Sequence, residues 1–256
     1  MRAAKVLREL GGLVFPPACQ LCNRLAQPPI CAKCAASFEA IGPPLCLHCG
    51  RPFDPQGQAG PLCAGCRAGQ QVLASARSFG LHVGTLREAV NALKFGGRTR
   101  IAPPLAHLLA GLIGGEPPAA LPLAERPQGI VPVPLHPTRR GERGFDQAKL
   151  LAQTLAELTG VPLRAGLLVR TRPTRPQIGM SPTERRANVR GAFALRYPLP
   201  RGGVRILLVD DVYTTGSTLE ECARTLRRGG AEAVHAVTVT RAAPDWHRQA
   251  DLTDAP

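Results

Sequence analysis

A parallel α/β sheet flanked by helices, preceded by a small cysteine-rich module, is the fold class that three observations predict. From about residue 72 onward, apolar blocks of strand length alternate with blocks of helical periodicity, which is the pattern of a doubly wound parallel sheet. Eight of the nine cysteines fall within 19–66. The apolar block Val-Arg-Ile-Leu-Leu-Val at 204–209 runs straight into acidic and then hydroxyl-rich residues before the next helical block. Open α/β sheets place their ligands at such a point, outside the carboxyl ends of the strands.

Composition narrows the class. The chain has 44% apolar and 20% charged residues, and no apolar run approaches the ~18 residues of a membrane span. A collagenous, coiled-coil or integral-membrane protein is excluded, and a cytoplasmic location is expected. Glycine and proline number 27 and 26 of 256 residues, short of the ~25–30% that marks low complexity, so many turns and short elements are expected. The formal net charge is +14, and 126–205 alone carries eleven of those charges, nearly all arginine. An excess so localised points to a polyanionic ligand, either nucleic acid or a multiply phosphorylated small molecule. Residues 1–17 are basic, with one short Gly-broken apolar stretch. They read as an amphipathic helix on the cysteine module rather than as a signal peptide.

The cysteines form four Cys-x-x-Cys turns: Cys19 with Cys22, Cys31 with Cys34, Cys46 with Cys49, and Cys63 with Cys66. Two intervening residues let both thiolates of a turn face one tetrahedral ion, so two turns close a four-sulfur site and four turns make two sites. All four positions around each ion are filled by protein, so the sites read as structural zinc, with iron as the sulfur-ligated alternative. Sequential and cross-braced pairings of the turns are both compatible with the spacing. His48 reads as a bystander. Large apolar residues are few here, so metal binding supplies much of the folding energy of this segment.

The α/β elements follow in order. Residues 76–83 read as a strand. Thr-Leu-Arg-Glu at 85–88 is a capping box opening a helix with Leu86, Val90 and Leu93 on one face. Leu105, Leu109 and Leu112 mark a second helix. Residues 129–134 form a short strand whose prolines place it at a sheet edge or strand end. A helix spans 145–158, and 167–171 can return as a strand. Ser-Pro-Thr-Glu at 181–184 combines a capping box with proline at the first helical position, which specifies a short helix through Arg190. Residues 204–209 are a buried strand, a helix follows with Leu219, Cys222, Ala223 and Leu226 on its apolar stripe, and 234–240 is the last strand. Cys222 reads as a small buried residue.

The chemistry concentrates after 209. Thr214, Thr215, Ser217 and Thr218 offer hydroxyl donors, Gly216 permits close backbone approach, and the N–H groups of the helix start complete an anion cradle. Asp210 and Asp211 would repel a phosphate held there, so they are read as accepting hydrogen bonds from sugar hydroxyls of the same ligand. A ribose 5-phosphate unit fits that division of labour.

This stretch resembles the signature of the type I phosphoribosyltransferases: an apolar strand, two acidic residues, then Thr-Thr-Gly-Ser-Thr. The resemblance implies a type I phosphoribosyltransferase-like sheet. It also implies that the acidic pair meets the ribose of phosphoribosyl pyrophosphate (PRPP), that the loop binds its 5-phosphate, and that magnesium accompanies the pyrophosphate. An earlier loop at 135–140 would then place Arg139 and Arg140 on the pyrophosphate. Lys94, in Lys-Phe-Gly-Gly, is a further anion-binding candidate. The segment 172–190 would be a mobile loop bringing Arg185, Arg186 and Arg190 over the site.

With the cysteine module included, the chain resembles the ComF family of competence proteins, a double zinc ribbon joined to a phosphoribosyltransferase-like domain. The residues that carry this are the four Cys-x-x-Cys turns, Leu-Lys-Phe-Gly-Gly at 93–97, Val-Pro-Val-Pro at 131–134, Arg-Gly-Phe-Asp-Gln at 143–147, and the run from Gln177 to Phe193. Position 146 is Asp where the family often has Asn. The expected organisation is a double zinc ribbon over 1–70, the phosphoribosyltransferase-like domain over 71–241 and a frayed tail over 242–256. The resemblance implies two zinc ions, PRPP with magnesium, single-stranded DNA and competence-machinery proteins as partners, and either a transferase of unknown acceptor or a non-enzymatic nucleic-acid-binding protein.

Overall fold

The computed structural model describes residues 17–247, apart from 27, 58, 59, 70, 117, 118, 137, 139, 140, 142, 176–178, 201, 202 and 245. The expected amino-terminal helix and Arg139 and Arg140 lie outside the described residues. In chain order the elements are α1 (Ala32–Ala36), α2 (Ala64–Arg67), β1 (Ser75–Leu81), α3 (Gly84–Phe95), α4 (Ala102–Gly114), β2 (Gly129–Pro132), α5 (Gln147–Thr159), β3 (Leu168–Arg170), α6 (Pro182–Val189), β4 (Phe193–Leu195), β5 (Val204–Tyr213), α7 (Ser217–Arg228) and β6 (Ala231–Arg241). Four strands make one parallel sheet in the order β1-β6-β5-β2. β3 and β4 pair antiparallel as a separate ribbon. No helix among the described residues is long and apolar enough to cross a membrane.

The continuous apolar run of β5 is explained by burial on both faces. Leu207 and Val209 face a core built on α3, α4 and α5, whereas Ile206 and Leu208 face one built on α7 and the β3–β4 ribbon. Cys222 is fully buried in the second core. β2 takes the sheet edge, as its prolines require. The Asp at 146 serves as N-cap of α5, its Oδ1 accepting from Lys149 N–H at 3.0 Å. Asn caps a helix equally well, so the exchange changes the charge and keeps the cap.

Two local expectations are corrected. The capping box at Thr85 and Glu88 does not form: α3 starts at Gly84, with Val83 as N-cap and no side-chain cap bond. Gly84 holds φ +49°, a left-handed turn that glycine enters freely, so the chain turns before threonine can cap. β5 also outruns its expected end at 209, because 210–213 continue to pair with β6, through Asp210 with Thr238 and Tyr213 with Arg241. The acidic pair therefore sits on the strand, not in the loop after it. The capping box of α6 forms as expected, with Ser181 and Glu184 exchanging both hydrogen bonds.

The cysteine module packs against the sheet. Cys19, Ile30 and Cys34 join the core beneath α3 and α4. Ile41 N–H donates to Phe79 carbonyl at 2.7 Å. Gly80 is required at this crossing, since a Cβ there would lie 2.5 Å from Leu86 Cδ2. Arg77, 2% exposed, donates to the carbonyls of Leu47, His48 and Ala120.

Candidate functional site

Each cysteine quartet fits a mononuclear tetrahedral ion. A Zn–S distance of ~2.3 Å sets neighbouring sulfurs about 3.8 Å apart. The Sγ separations are 3.8 Å for Cys19–Cys34, 3.7 Å for Cys22–Cys31 and 3.8 Å for Cys49–Cys63. The quartets are Cys19, Cys22, Cys31, Cys34 and Cys46, Cys49, Cys63, Cys66, each with its ligand atoms within 4.8 Å of one another. Pairing is therefore sequential, not cross-braced. In the second quartet the hydrogen bond from the Cys49 thiol pulls Cys46 down to about 3, while burial pushes Cys66 up to about 12. Four thiolates so close cannot all be charged alone, and a dication is what allows it. His48 stays outside the quartet and braces it: Nε2 donates to Leu73 carbonyl at 2.9 Å and Nδ1 lies 3.7 Å from Cys66 Sγ.

At the carboxyl edge of the sheet, β5 delivers Asp210 and Asp211. Asp211 is 4% exposed, and its Oδ1 meets Lys94 Nζ at 3.0 Å. Its Oδ2 is buried with no hydrogen-bond partner. A buried carboxylate oxygen left unsatisfied is costly, and here it is an acceptor awaiting a donor. Asp210 is partly buried, and its Oδ1 accepts from Asp211 N–H at 2.9 Å. Burial first, and then the Asp211 charge, push its carboxyl up to about 8, with Lys94 opposing.

The strand then turns through residues 214–216 into α7. Gly216 holds φ +78°, and a Cβ there would lie 2.6 Å from Tyr213 Cζ, so both backbone and space demand glycine. Thr215 and Ser217 hydroxyls bond at 2.8 Å, while Thr214 and Thr215 are exposed. Backbone N–H groups, hydroxyls and the positive end of α7 come together here, the chemistry that suits an anion.

The 214–217 loop borders a cleft of about 1230 Å³ between the second cysteine quartet and α6. Arg185, Arg186 and Arg190 line it together with Thr214, Thr215 and Ser217. α6 is held against α7, since Gly191 N–H donates to Glu221 Oε1 at 2.8 Å. Arg172 and Asn188 stitch residues 172–175 to α6.

Sequence reasoning missed Arg241, Tyr213 and Glu220. Arg241, 5% exposed, donates to Cys49 carbonyl at 2.7 Å, lies 3.6 Å from Cys49 Sγ, and stacks 4.1 Å from the Tyr213 ring centre. Glu220 Oε2 accepts from Val72 N–H at 2.8 Å, tying α7 to the segment after the second quartet. Only the strand-end position of Arg241 hinted at a role. His82 was also overlooked: its Nδ1 lies 2.9 Å from Thr240 Oγ1, and burial, with Lys94 and Arg87 nearby, lowers its affinity for a proton.

Comparison with known proteins bears on this geometry. Residues 10–67 match the double zinc ribbon domain and 142–251 the phosphoribosyl transferase domain. Over 146 residues the chain is 40% identical to the DNA utilization protein YhgH of Salmonella typhi, covering 57% of this chain and 62% of that one. It is 39% identical over 121 residues to competence protein F of Haemophilus influenzae, covering 45% and 51%. It is 37% identical over 113 residues to competence protein ComFC of Bacillus subtilis, covering 44% of each. The matched segment thus spans less than two thirds of these relatives' length. Among solved structures, the glutamine PRPP amidotransferase of B. subtilis complexed with ADP and GMP matches at 26% identity over 53% of this chain and 25% of that one, TM-score 0.33. Adenine phosphoribosyltransferase of Leishmania tarentolae matches at 19% over 55% and 57%, TM-score 0.35.

Sheet, quartets and domain matches together define the class, a double zinc ribbon joined to a phosphoribosyl transferase domain. Within that class the chain is similar to competence and DNA utilization proteins, at 37–40% identity over the matched segments.

Proposed function

We propose that this protein binds PRPP at the β5–α7 junction and serves the handling of single-stranded DNA in the cytoplasm, with competence-machinery proteins as partners. The observation that carries the reading is the buried, unpartnered Oδ2 of Asp211 beside a loop whose position 216 only glycine can fill. In this reading Asp210 and Asp211 accept the ribose hydroxyls, and Thr214, Thr215, Gly216, Ser217 and Thr218 hold the 5-phosphate. Lys94 holds Asp211 in place and adds positive charge on that side, while Arg139 and Arg140 meet the pyrophosphate. Arg185 and Arg186 on α6, with Arg190 at its C-cap, add positive charge opposite the loop. Magnesium would arrive with the pyrophosphate and spread its charge, because a hard cation prefers phosphate and carboxylate oxygens.

A transfer step would displace pyrophosphate at the anomeric carbon, needing position and charge rather than a nucleophilic side chain. The alternative reading, a non-enzymatic nucleic-acid-binding protein on a reused transferase fold, is favoured by the arginines of the cleft. Calorimetric titration of the zinc-loaded chain with PRPP and magnesium, beside the Asp210→Asn/Asp211→Asn double variant, separates them. Binding lost in the variant supports a working phosphoribosyl site, and a folded wild type that binds no PRPP leaves the scaffold reading.

A further inference from the structure

The cleft shares only part of the candidate site. Thr214, Thr215 and Ser217 line it, but Asp210, Asp211 and Lys94 do not. In the phosphoribosyl reading it therefore adjoins the phosphate end of the site and not the sugar end. PRPP has nothing beyond its 5-phosphate to place there. A phosphodiester does, because the 5′ oxygen that ends a mononucleotide continues into the preceding residue of a strand.

The lining has the matching charge. Arg51, just after the third cysteine turn, lines the cleft together with Arg185 and Arg186 of α6 and Arg190 at that helix's C-cap. None of the four has a carboxylate ion pair among the described residues, whereas Arg224 and Arg228, on the same wall, are paired with Glu221. Unpaired cations along a groove attract a polyanion and release its counterions. The wall is long enough for several residues. Ser217 and Arg228 lie about 16 Å apart along α7 at ~1.5 Å per residue, which at the ~3.4 Å rise of a stacked strand is about four to five nucleotides.

We propose that the cleft takes the 3′-terminal stretch of a single-stranded nucleic acid. This rests on the phosphoribosyl reading above. The terminal sugar sits against Asp210 and Asp211, its 5′ phosphodiester lies on the Gly216 loop, and the upstream residues run between the second cysteine quartet and α6. A duplex end would first have to free its terminal nucleotide from its partner, so the site selects single strands of defined polarity.

The test uses the zinc-loaded full chain and a short oligothymidylate carrying fluorescein at its 5′ end, read by anisotropy. Competitors are the same oligomer ending in a 3′-hydroxyl, ending in a 3′-phosphate, or closed into a circle. The open 3′-hydroxyl form should compete at least tenfold better than either blocked form, and PRPP with magnesium should displace the probe. Arg51→Glu should weaken the oligomer by tenfold or more while leaving PRPP affinity within twofold and two zinc ions bound; Arg51→Gln gives the milder loss without charge reversal. A circular oligomer that competes as well as the open one, or an Arg51→Glu protein that binds the oligomer unchanged, overturns the proposal while PRPP binding stands. Failure of PRPP to bind the folded wild type overturns the phosphoribosyl reading, and this one with it, because the terminal sugar then has no seat.

Discussion

Lys94 Nζ lies 3.0 Å from Asp211 Oδ1, bridging the end of α3 to the strand that carries the acidic pair. The lysine is 19% exposed at its side chain and the aspartate 6%. The contact therefore lies where removing one partner strands a charge, a larger loss than the pair's net worth.

Lys94→Met should accordingly destabilise the protein by about 2–4 kcal/mol, measured by urea denaturation. Adding Asp211→Asn should recover part of that loss, because the stranded charge is then gone. A double variant as unstable as the sum of the singles would mean that the two side chains do not interact.

Asp210 gives the site a pH dependence with a definite sign. An unfolded aspartate titrates near ~4, and burial beside Asp211 raises the folded value to about 8. Between those values the folded chain holds the extra proton, so the stability from this group is present below about 4 and is lost as pH rises toward 8. Asp210→Asn should thus gain on the wild type across that window and level off above it. Thermal melts at several pH values check the gain. PRPP affinity of the wild type, if the ionised carboxylate receives the sugar hydroxyls, should strengthen from pH 6.5 to 9 by calorimetry.

Gly216→Ala should abolish anion binding at the loop and cost about 2–4 kcal/mol, because a φ of +78° and the Tyr213 ring both exclude a Cβ. If Tyr213 is the larger obstacle, Tyr213→Leu in the same background recovers stability without recovering binding. Equal PRPP affinity in Gly216→Ala and wild type would remove the loop from the phosphate site.

Much of this architecture was legible in the chain because local signals and the fold agreed. The four Cys-x-x-Cys turns carry their own geometry, and Ser181 with Glu184 forms the capping box that its spacing announces. The buried run of β5 could be recognised because it is covered on both faces. What remained hidden depends on pairing across the fold. β5 continues to Tyr213 only because β6 is there to bond it. Thr85 loses its cap to a turn at Gly84 that local pattern does not encode. The contact of Lys94 with Asp211, over a hundred residues away, is likewise made by the fold and carried by no local pattern. The burial of Arg77 and Arg241 is not legible either, since nothing in a sequence says that a zinc turn will lie against them.

That last contact links the second metal site to the anion loop. A Cys₄ zinc site carries a net charge near −2, and Arg77 and Arg241 set two buried cations against the second one, Arg241 through Cys49 carbonyl and Sγ. Arg241 also stacks on Tyr213, whose ring packs on Gly216. Loss of the second ion should therefore loosen the loop, whereas loss of the first, whose Cys22 is exposed and whose turns pack under α3 and α4, should not. Cys66→Ser should weaken PRPP binding by tenfold or more and raise amide exchange at 214–218. Cys22→Ser should lose one zinc ion with PRPP affinity within twofold. Arg241→Lys, which keeps the charge but loses the planar stack, should fall between them while retaining both ions. Hydrogen exchange beside zinc quantitation reads all three, and equal loop protection in Cys66→Ser and wild type would show that the metal site and the loop are independent.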